Sequence, residues 1–334
     1  MTRESTPFDR RRFLKVAGTA LGAGALYQVG AMAGTDAGGR VLMEGLGKRA
    51  GEKVTPFSFV QLSDTHVGFQ GPPNPLGSKA FEQAVAEVNG LAVAPDLILF
   101  TGDLTHDSEE PGVPAARMKR FQEIAAGLKV RNIKYVPGEH DAGLDGGELF
   151  RSVFGPSHYA FDHRGVHFVA LDNVSQGKPV VGGDQLAWLK KDLARFDPAT
   201  PIIVFTHRPL FDLKPEWEWY TGDGDEVMNV LAPYLNVTVL YGHIHRAHSM
   251  EGGHARHLAV PSLTFAFPDP EKVEDKKPMP FDKAAPFRNL GLRRLEVSRK
   301  GGRPVVDSTE VELTQREFAG TVGSSQLLKG VDFV

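Results

Sequence analysis

The stretch Phe57-Ser58-Phe59-Val60-Gln61-Leu62 runs directly into Ser63-Asp64-Thr65-His66, so an apolar segment ends in a carboxylate and an imidazole. Aromatic and apolar residues dominate the segment, which predicts a strand over residues 57–62. Side chains of an extended chain alternate between its two sides, so Asp64 and His66 are expected on one side and Thr65 on the other. A pair of metal-ligating side chains is therefore predicted at the end of this strand.

Four more motifs follow the same design further along the chain, each at the end of an apolar run. They are Gly102-Asp103, Gly138-Glu139-His140-Asp141, Thr206-His207 and Gly242-His243-Ile244-His245. Five strands would thus deliver carboxylates and imidazoles to one edge of a sheet. The mixture of hard oxygen ligands and borderline nitrogen ligands suits two clustered first-row transition metals. An isolated Asp or His at such a place is more often a turn or surface residue, so the inference depends on the whole set.

The segments between the motifs alternate between strand and helix periodicity. Helices are predicted over residues 78–91, 115–128, 184–195 and 225–235. Strands are predicted over residues 57–62, 96–101, 134–137, 158–162, 166–171, 202–206, 237–241, 256–260, 292–297 and 305–311. Residues 268–286, which are charged and rich in proline, are expected to form a surface loop. Strands with helical crossovers, followed by hairpins, indicate two packed mixed sheets with helices on the outside.

Length and composition narrow the class of protein. The 334 residues would fold as one large α/β domain or as two smaller ones, and they suffice to bury a core. A net charge of −3 and the lack of a long basic block give no support for a nucleic-acid polymer as partner. The chain has no cysteine, which excludes disulfides and thiolate metal sites. It also lacks a G-x-x-x-x-G-K-[ST] phosphate loop, which disfavours a nucleoside-triphosphate motor.

The first 33 residues have the pattern of a targeting segment. Asp9-Arg10-Arg11-Arg12-Phe13-Leu14-Lys15 is similar to the bacterial twin-arginine export signal, and the following Gly/Ala-rich stretch ends in Ala31-Met32-Ala33, a small-x-small cleavage pattern. Residues 1–33 are therefore predicted to be a signal read by the twin-arginine export machinery, and residues 34–55 a flexible leader. The protein is expected to be periplasmic or secreted, without a stable membrane span in its mature form. The alternative is an uncleaved signal that tethers the protein.

The five motifs, in this order, resemble the calcineurin-like metallophosphoesterase family, whose pattern runs D-x-H, G-D, G-N-H-D/E, H and G-H-x-H. The resemblance covers Phe57 to His248, more than half of the chain. It implies an α/β (α+β) fold, a four-layer αββα sandwich of two mixed β-sheets flanked by helices. This domain would span residues 56–315, followed by a C-terminal tail at 316–334. One position departs from the pattern, because Glu139 stands where the family usually has Asn.

The resemblance also implies which residues bind metal. The ligands of the first ion would be Asp64, His66 and His245. The ligands of the second ion would be Glu139, His207 and His243. Asp103 would bridge the two ions, with its two oxygens reaching one metal each.

The same resemblance implies a mechanism. A water or hydroxide between the two ions would attack phosphorus, and no covalent enzyme intermediate would form. His140 would contact the phosphate and protonate the leaving oxygen. Asp141 would orient the His140 imidazole.

Glu139 changes the charge of the expected site. Glu can ligate a metal, but an ionised carboxylate cannot donate a hydrogen bond as an Asn amide can. With two divalent ions, three carboxylates and a bridging hydroxide sum to zero charge, whereas a trivalent ion beside a divalent one leaves plus one. Because an entering phosphate prefers the positive site, Fe³⁺ is predicted together with Zn²⁺, Mn²⁺ or Fe²⁺. The rival interpretation is that Glu139 impairs catalysis or makes the second metal labile.

Three residues near the motifs are candidate substrate contacts. Arg208 would touch a phosphate oxygen or form a surface ion pair. His106 would line the mouth of the site or act as a hydrogen-bonded loop residue. Trp217, in the run Trp217-Glu218-Trp219-Tyr220, would stack on a base or pack its loop onto the protein body. The loop Gly68–Ser78 is a further candidate to shape the pocket. The spacing of His248, His254 and His257 does not match a metal-ligand motif, so these histidines are not predicted to be ligands.

Together these observations predict an exported dinuclear-metal phosphoesterase that acts on a small-molecule phosphodiester or phosphomonoester. A singly charged diester suits a neutral site better than a doubly charged monoester, which favours a phosphodiesterase over a phosphatase. A lipid or cell-wall phosphodiester is a further substrate class. The alternative from another class is a catalytically silenced metal- or ligand-binding protein on the same fold, although such a protein has no need of His140 and Asp141.

Overall fold

The computed structural model of the protein describes residues 34–35, 41–42, 53–252 and 254–313. The signal predicted at 1–33 and the tail at 316–334 lie outside the described residues. Within the predicted leader, Gly34–Thr35 (β1) pairs antiparallel with Val41–Leu42 (β2), and this pair belongs to a unit of its own. In the following unit, Val54 is buried in the core and the Thr55 amide donates to the Arg164 carbonyl. The folded domain therefore begins before residue 56.

Regular elements alternate along the main unit. The strands are β3 (Phe57–Leu62), β4 (Leu97–Thr101), β5 (Ile133–Val136), β6 (Tyr159–His163), β7 (Val166–Ala170), β8 (Ile202–Phe205), β9 (Val237–Tyr241), β10 (His248–Gly252), β11 (Ala255–Ala259), β12 (Gly291–Lys300) and β13 (Arg303–Glu312). The helices are α1 (Lys79–Asn89), α2 (Val113–Ala125), α3 (Glu139–Ala142), α4 (Glu148–Phe154), α5 (Gly183–Leu193) and α6 (Gly224–Leu231). Every predicted strand and helix is present; β3 and β9 have the predicted bounds and the others have ends shifted by a few residues, whereas α3, α4 and β10 were not predicted. Among the described residues, no helix is both long and apolar enough to cross a membrane.

The strands of the main unit form two mixed sheets. The five-stranded sheet has the order β13-β12-β3-β4-β5, in which β3, β4 and β5 run parallel. The six-stranded sheet has the order β10-β11-β9-β8-β7-β6, in which β11, β9, β8 and β7 run parallel. Helices α1 and α2 connect β3, β4 and β5 of the first sheet, and α5 and α6 connect β7, β8 and β9 of the second, whereas β10 lies between β9 and β11 in the chain.

The four-layer sandwich is confirmed by where the alternating strand side chains pack. Phe59 of β3 meets Phe168 of β7 between the two sheets, with ring centroids 5.6 Å apart. On the other face of the five-stranded sheet, Phe100 packs on Phe81 of α1 at 5.7 Å. The outer face of the six-stranded sheet packs on α5 and α6 through Val204, Val239, Leu189 and Leu231. Helices thus cover the outside of both sheets, and the inner faces form a shared core.

Candidate metal centre

The predicted ligands all follow the carboxyl ends of parallel strands. In the five-stranded sheet, Asp64 and His66 follow β3, Asp103 follows β4 and Glu139 follows β5. In the six-stranded sheet, His207 follows β8, and His243 and His245 follow β9. The seven residues form two clusters, within each of which the ligand atoms lie within 4.8 Å of one another. The first cluster is Asp64, His66, Asp103 and His245, and the second cluster is Glu139, His207 and His243.

Nitrogen and oxygen atoms converge closely inside each cluster. In the first cluster, the Nε2 atoms of His66 and His245 are 3.1 Å apart, and His245 Nε2 is 3.3 Å from Asp64 Oδ1. In the second cluster, Glu139 Oε2 is 2.8 Å from His207 Nε2, and Glu139 Oε1 is 2.8 Å from His243 Nδ1. All seven residues except the half-buried Glu139 are buried.

Asp103 joins the two clusters through a single oxygen. Its Oδ2 lies 3.4 Å from His66 Nε2 of the first cluster and 3.4 Å from His207 Nε2 of the second. Its Oδ1 accepts a hydrogen bond from the His140 amide at 3.0 Å. One oxygen of Asp103 thus faces histidines of both clusters and the other accepts from the backbone, while its two oxygens reaching one metal each stays a prediction.

The tautomers of three histidines test whether this centre fits metal ions. His207 Nδ1 donates to the Thr101 carbonyl at 2.7 Å, His243 Nε2 to Glu218 at 3.1 Å, and His245 Nδ1 to Phe265 at 2.9 Å. Because carbonyl oxygens only accept, a neutral ring presents its other nitrogen to the cluster as a lone pair. Buried His207 Nε2 and Glu139 Oε2 face each other without forming a hydrogen bond. Lone pairs that converge in this way need a cation between them, so the residues present fit two metal ions.

Five of the predicted ligands have an unusual backbone conformation. The φ angles of Asp64, His66, Asp103, His243 and His245 are 54°, 39°, 49°, 63° and 51°. This left-handed region costs a residue other than glycine roughly 1–2 kcal/mol. Asp64 and His66 thus share one side because of left-handed turns, and the predicted strand alternation is not the cause. Such strain is retained where the surrounding fold holds functional side chains in place.

Two glycines allow the loops of the centre to approach each other. A Cβ atom on Gly242 would lie 2.0 Å from Ser63 Oγ and 2.6 Å from Asp64 Oδ2. A Cβ atom on Gly138 would lie 2.0 Å from Asp103 Oδ1. Any side chain at either position would displace a predicted ligand, which explains a glycine before each of these metal-ligand motifs.

Asp141 does not contact the His140 imidazole, which corrects its predicted role. Its carboxylate accepts hydrogen bonds from the amides of Leu104, Thr105 and Gly138, each at 2.9 Å. His140 Nδ1 instead lies 2.5 Å from Asp107 Oδ1. Consecutive residues of a helix point about 100° apart, so His140 and Asp141 of α3 face different neighbours. Asp141 ties together the loops after β4 and β5, and Asp107 orients the imidazole.

Charge and burial shift the pKa values of this centre in opposite directions. Burial lowers the pKa of His140, but the carboxylates of Asp103, Glu139 and Asp107 outweigh it and raise the pKa above its ordinary value. Burial and the nearby Asp103 carboxylate raise the pKa of Asp141 to about 6, against the backbone amides that lower it. Burial, followed by the neighbouring imidazoles, lowers the pKa of His66 well below its ordinary value, which favours the neutral, ligating form.

The second cluster shows why a cation is needed there. Burial raises the pKa of Glu139, but His243 and His207 outweigh it and hold the pKa well below its usual value, so the carboxylate is ionised. Burial lowers the pKa of His207, but Asp103 and Glu139 outweigh it and raise the pKa well above its ordinary value. Either a proton or a metal ion must therefore balance these carboxylates, and metal binding would displace the proton.

Arg208 lies beside the second cluster. Its Nη2 is 3.4 Å from Glu139 Oε1, and its Nη1 donates to the Glu218 carbonyl at 2.8 Å. The residue is buried, and its Nε has no hydrogen-bond partner. The ion pair predicted as one alternative for Arg208 is present, but with a candidate metal ligand and away from the surface.

The prediction that Trp217 contacts the substrate is wrong, because this residue is only 2% exposed. Its Nε1 donates to the Glu274 carbonyl at 2.9 Å, and its ring packs on Trp219 with centroids 4.9 Å apart. The aromatic run therefore packs its loop onto the protein body, as the alternative interpretation predicted. His106 is half-buried and its ring stacks on that of His140 at 4.7 Å, which places it at the centre.

Two phenylalanines at the metal centre were not predicted from the sequence. Phe69 meets the His106 ring at 5.1 Å, and Phe265 meets the His245 ring at 4.6 Å. The loop Gly68–Ser78 was a candidate to shape the pocket, which gave an indirect signal for Phe69. Phe265 carries no local signal, because only the tertiary fold brings it to the first cluster.

Two clusters of Asp, Glu and His at the strand ends of an αββα sandwich define an α/β protein built to hold a pair of metal ions. The profile of the calcineurin-like phosphoesterase family matches residues 57–247, more than half of the chain. The protein therefore belongs to the calcineurin-like phosphoesterase family.

Individual relatives are more distant. The chain is 28% identical over 253 residues to the 3′,5′-cyclic adenosine monophosphate phosphodiesterase CpdA of Haemophilus influenzae, covering 72% of this chain and 89% of that protein. It is 27% identical over 203 residues to a probable glycerophosphodiester phosphodiesterase, GpdQ, of Arcobacter nitrofigilis, covering 56% of this chain and 71% of that protein. A solved dimetal phosphatase from Danio rerio aligns with 13% identity and a TM-score of 0.47, covering 77% of this chain and 99% of that one.

Proposed function

We propose that the protein hydrolyses small-molecule phosphodiesters with the help of two metal ions. The observation that carries this proposal is Asp103 Oδ2, which lies 3.4 Å from both His66 Nε2 and His207 Nε2. A carboxylate that lies against histidines of both ligand clusters is suitably placed to be shared by two metal ions. The family profile and the phosphodiesterase names of the two sequence relatives support the same reaction class.

The two clusters have separate tasks in this proposal. The first cluster would hold one ion and the second cluster the other, with Asp103 shared between them. When bound, the ions would supply an acidified water as nucleophile and would neutralise the phosphoryl oxygens. The backbone carbonyls of Thr101, Glu218 and Phe265 keep three imidazoles in the ligating tautomer, so the ligands are oriented before the substrate arrives.

His140 would donate a proton to the leaving-group oxygen. Asp107 Oδ1 engages Nδ1 of this ring at 2.5 Å, so Nε2–H is the proposed donor. The Asp107 carboxylate against Nδ1 favours the protonated imidazole that an acid catalyst needs. The Asp103 carboxylate holds the His140 amide at 3.0 Å, so the acid is fixed to the residue that joins the clusters.

Arg208 changes the argument about metal identity. The carboxylates of Asp64, Asp103 and Glu139 bring three negative charges, and the guanidinium 3.4 Å from Glu139 returns one positive charge. This fixed charge does what the trivalent ion was predicted to do, so two divalent ions suffice to attract an anionic substrate. Elemental analysis combined with Mössbauer spectroscopy, which gives the oxidation state of any bound iron, decides between this composition and the predicted Fe³⁺ paired with Zn²⁺, Mn²⁺ or Fe²⁺.

The proposal includes export through the twin-arginine machinery to the periplasm or beyond. Its support is the sequence Asp9-Arg10-Arg11-Arg12-Phe13-Leu14-Lys15 followed by a Gly/Ala-rich stretch. Changing both Arg10 and Arg11 to Lys should leave active protein in the cytoplasm of a bacterial host, measured by cell fractionation. Unchanged delivery to the periplasm by this double variant would contradict the proposal.

The hydrolase is tested with one preparation whose bound metals are counted by elemental analysis. Hydrolysis of bis-p-nitrophenyl phosphate and of p-nitrophenyl phosphate is measured beside a His140→Ala variant. Two metals per chain and His140-dependent turnover that is faster on the diester would support a dinuclear phosphodiesterase. Faster turnover of the monoester would instead indicate that the protein is a phosphatase.

The second candidate, a silenced metal- or ligand-binding protein, is favoured by one observation, the carboxylate at position 139 where the family pattern has an amide. Two metals per chain without turnover of any phosphoester in a broad panel would support this alternative. In that case Glu139→Asn tests the cause, because restored turnover would assign the silencing to the extra carboxylate.

A further inference from the structure

A row of aromatic rings runs from the proposed acid along the wall of the first cluster. The His140 ring stacks on that of His106, with centroids 4.7 Å apart and planes 27° apart. His106 meets Phe69 edge to face at 5.1 Å, and Phe69 lies 5.1 Å from Phe265. The last ring returns to the metal centre, 4.6 Å from that of His245. We call Phe69, His106 and Phe265 the aromatic ledge.

Core packing does not account for the aromatic ledge. Phe69 and Phe265 are half-buried, and neither belongs to the four apolar clusters that form the core of the described residues. Their ring neighbours are His66, His106 and His245 at the metal centre, each other, and, for Phe265, the ring of Phe267. Partly exposed phenyl rings beside convergent polar groups are typical of a ligand pocket, where a bound molecule covers the apolar surface.

The aromatic ledge is fixed to the metal centre by hydrogen bonds. The Phe265 carbonyl accepts from His245 Nδ1 at 2.9 Å, and the His106 amide donates to the Val67 carbonyl at 3.1 Å. The Asn74 side chain ties the two loops of the ledge together by donating to Thr264 Oγ1 at 3.0 Å. Rings that are already positioned lose little conformational entropy when a ligand binds.

The place of the aromatic ledge beside His140 determines which part of a substrate reaches it. The oxygen that His140 protonates belongs to the leaving group, so the ledge lies on the leaving-group side of the phosphorus. We propose that the aromatic ledge binds a planar ring, a nucleobase or an aryl group, carried by the leaving group of the phosphodiester. This inference rests on the proposed function and names its substrate class.

Stacking gives the aromatic ledge its selectivity. Every nucleobase and aryl group has a flat π-face that gains from contact with aromatic side chains, whereas a glycerol group has none. A ring-bearing diester would therefore be preferred to a glycerophosphodiester. The two sequence relatives are named for one substrate of each kind, so the aromatic ledge discriminates between them.

The test compares three diesters on the metal-loaded protein: 3′,5′-cyclic AMP with a base, bis-p-nitrophenyl phosphate with aryl groups, and glycerophosphoethanolamine without a ring. The variants Phe69→Leu and Phe265→Leu keep an apolar side chain and remove the π-face. We expect kcat/KM to fall about 5- to 150-fold on ring-bearing diesters, mainly through KM, since this is the usual contribution of one stacked base. The value for glycerophosphoethanolamine should change by less than about twofold.

Phe161→Leu is the matched control, because Phe161 is an equally half-buried ring on β6 whose ring neighbours include Phe168 and Phe205 of the core. It should leave all three values unchanged. An equal loss on all three substrates in both ledge variants would mean that the rings only support the metal ligands, and this would overturn the proposal. No loss on cyclic AMP or the aryl diester would also overturn it.

Failure of the proposed function itself would be seen in the native protein and not in the ledge variants. If the native protein hydrolyses none of the three diesters, the aromatic ledge is judged by calorimetry with AMP and with inorganic phosphate. Tighter binding of AMP that disappears in Phe69→Leu would support the subsite in a non-hydrolytic protein. Equal affinity for both ligands would overturn it.

Discussion

Arg208 Nη2 lies 3.4 Å from Glu139 Oε1, so the carboxylate that we predict to replace a family amide is paired with a fixed cation. Arg208 is 8% exposed, and solvent therefore screens the pair only weakly. Its second amino group is held by the Glu218 carbonyl, so the cation cannot easily turn away. We infer that the Glu139 carboxylate and the Arg208 guanidinium act as one unit in setting the charge of the second cluster.

This pairing predicts non-additive effects in a double-mutant cycle. Glu139→Asn should weaken binding of the second ion about 10- to 100-fold, because it removes an anionic ligand. Arg208→Gln should lower kcat/KM on a phosphodiester about tenfold with the metal content unchanged, because uncompensated Glu139 repels the substrate. In the Glu139→Asn background, Arg208→Gln should lower kcat/KM by a smaller factor, with a coupling free energy between the two substitutions of about 1 kcal/mol. Strictly additive losses in metal content and kcat/KM would show that the two side chains act independently.

The contact between Asp107 and His140 predicts a change in catalysis without a change in folding. His140→Ala should lower kcat about 10²- to 10⁴-fold, the usual contribution of a positioned acid. Asp107→Asn should lower kcat about tenfold, because a neutral amide orients the imidazole but no longer favours its charged form. The exposed neighbour Glu109→Gln is the control and should be neutral. The prediction fails if Asp107→Asn retains full kcat with intact metal content.

Asp141 should behave in the opposite way, because its carboxylate holds two loops together. Asn has one oxygen, so Asp141→Asn would place an NH₂ group against amides that now donate to the carboxylate. We expect the free energy of unfolding to fall by about 1–3 kcal/mol, together with a loss of bound metal. Urea denaturation and elemental analysis measure both. Unchanged stability with a large loss of kcat would instead restore the orienting role first predicted for Asp141.

The buried carboxylate of Asp192, outside the metal centre, predicts how the stability of the fold depends on pH. Burial raises the pKa of Asp192, but its contacts with His167, 2.7 Å away, and with Arg195 outweigh burial and lower the pKa below the ordinary 3.8. The folded-state pKa is depressed, so the carboxylate stabilises the protein above pH 3.8 and loses this effect as the pH falls through its folded pKa.

Asp192→Asn should therefore lower the free energy of unfolding by about 1–3 kcal/mol at pH 7, with the difference shrinking at acid pH. Denaturant unfolding over a series of pH values measures the effect. Asp162→Asn is the control, because this second carboxylate against His167 is exposed and should contribute less. A stability difference that is constant from pH 7 to below pH 3.8 would contradict the assignment.

The sheets were predictable because their strands carry strong local signals. Leu97-Ile98-Leu99-Phe100 is apolar without alternation, as expected of a parallel strand covered on both faces, and all four side chains are buried. The convergence of the ligands was also predictable, since parallel strands end at one edge of a sheet. Helix α3 was not, because four residues are too few to show helical periodicity.

The errors at the centre arose where closeness along the chain was taken for closeness in space. Asp141 is adjacent to His140 in sequence, but Asp107, which comes from the preceding strand end, reaches its imidazole. Trp217 lies close to His207 in sequence, yet its ring turns into the protein. Phe265 reaches the first cluster from far along the chain, and one sequence carries no local signal for that contact.

Each cluster takes ligands from both sheets. In the first cluster, His245 comes from the six-stranded sheet and the other ligands come from the five-stranded sheet. In the second cluster, Glu139 comes from the five-stranded sheet and the two histidines come from the six-stranded sheet. An ion in either cluster would therefore act as a cross-link between two layers, in addition to their apolar contacts and to hydrogen bonds such as that of His207 with the Thr101 carbonyl. Neither sheet alone offers a full set of ligands, so metal capture must follow the docking of the two sheets. Binding of each ion then also stabilises the docked arrangement of the two sheets. Without metal, the protein should open first along the plane between the sheets.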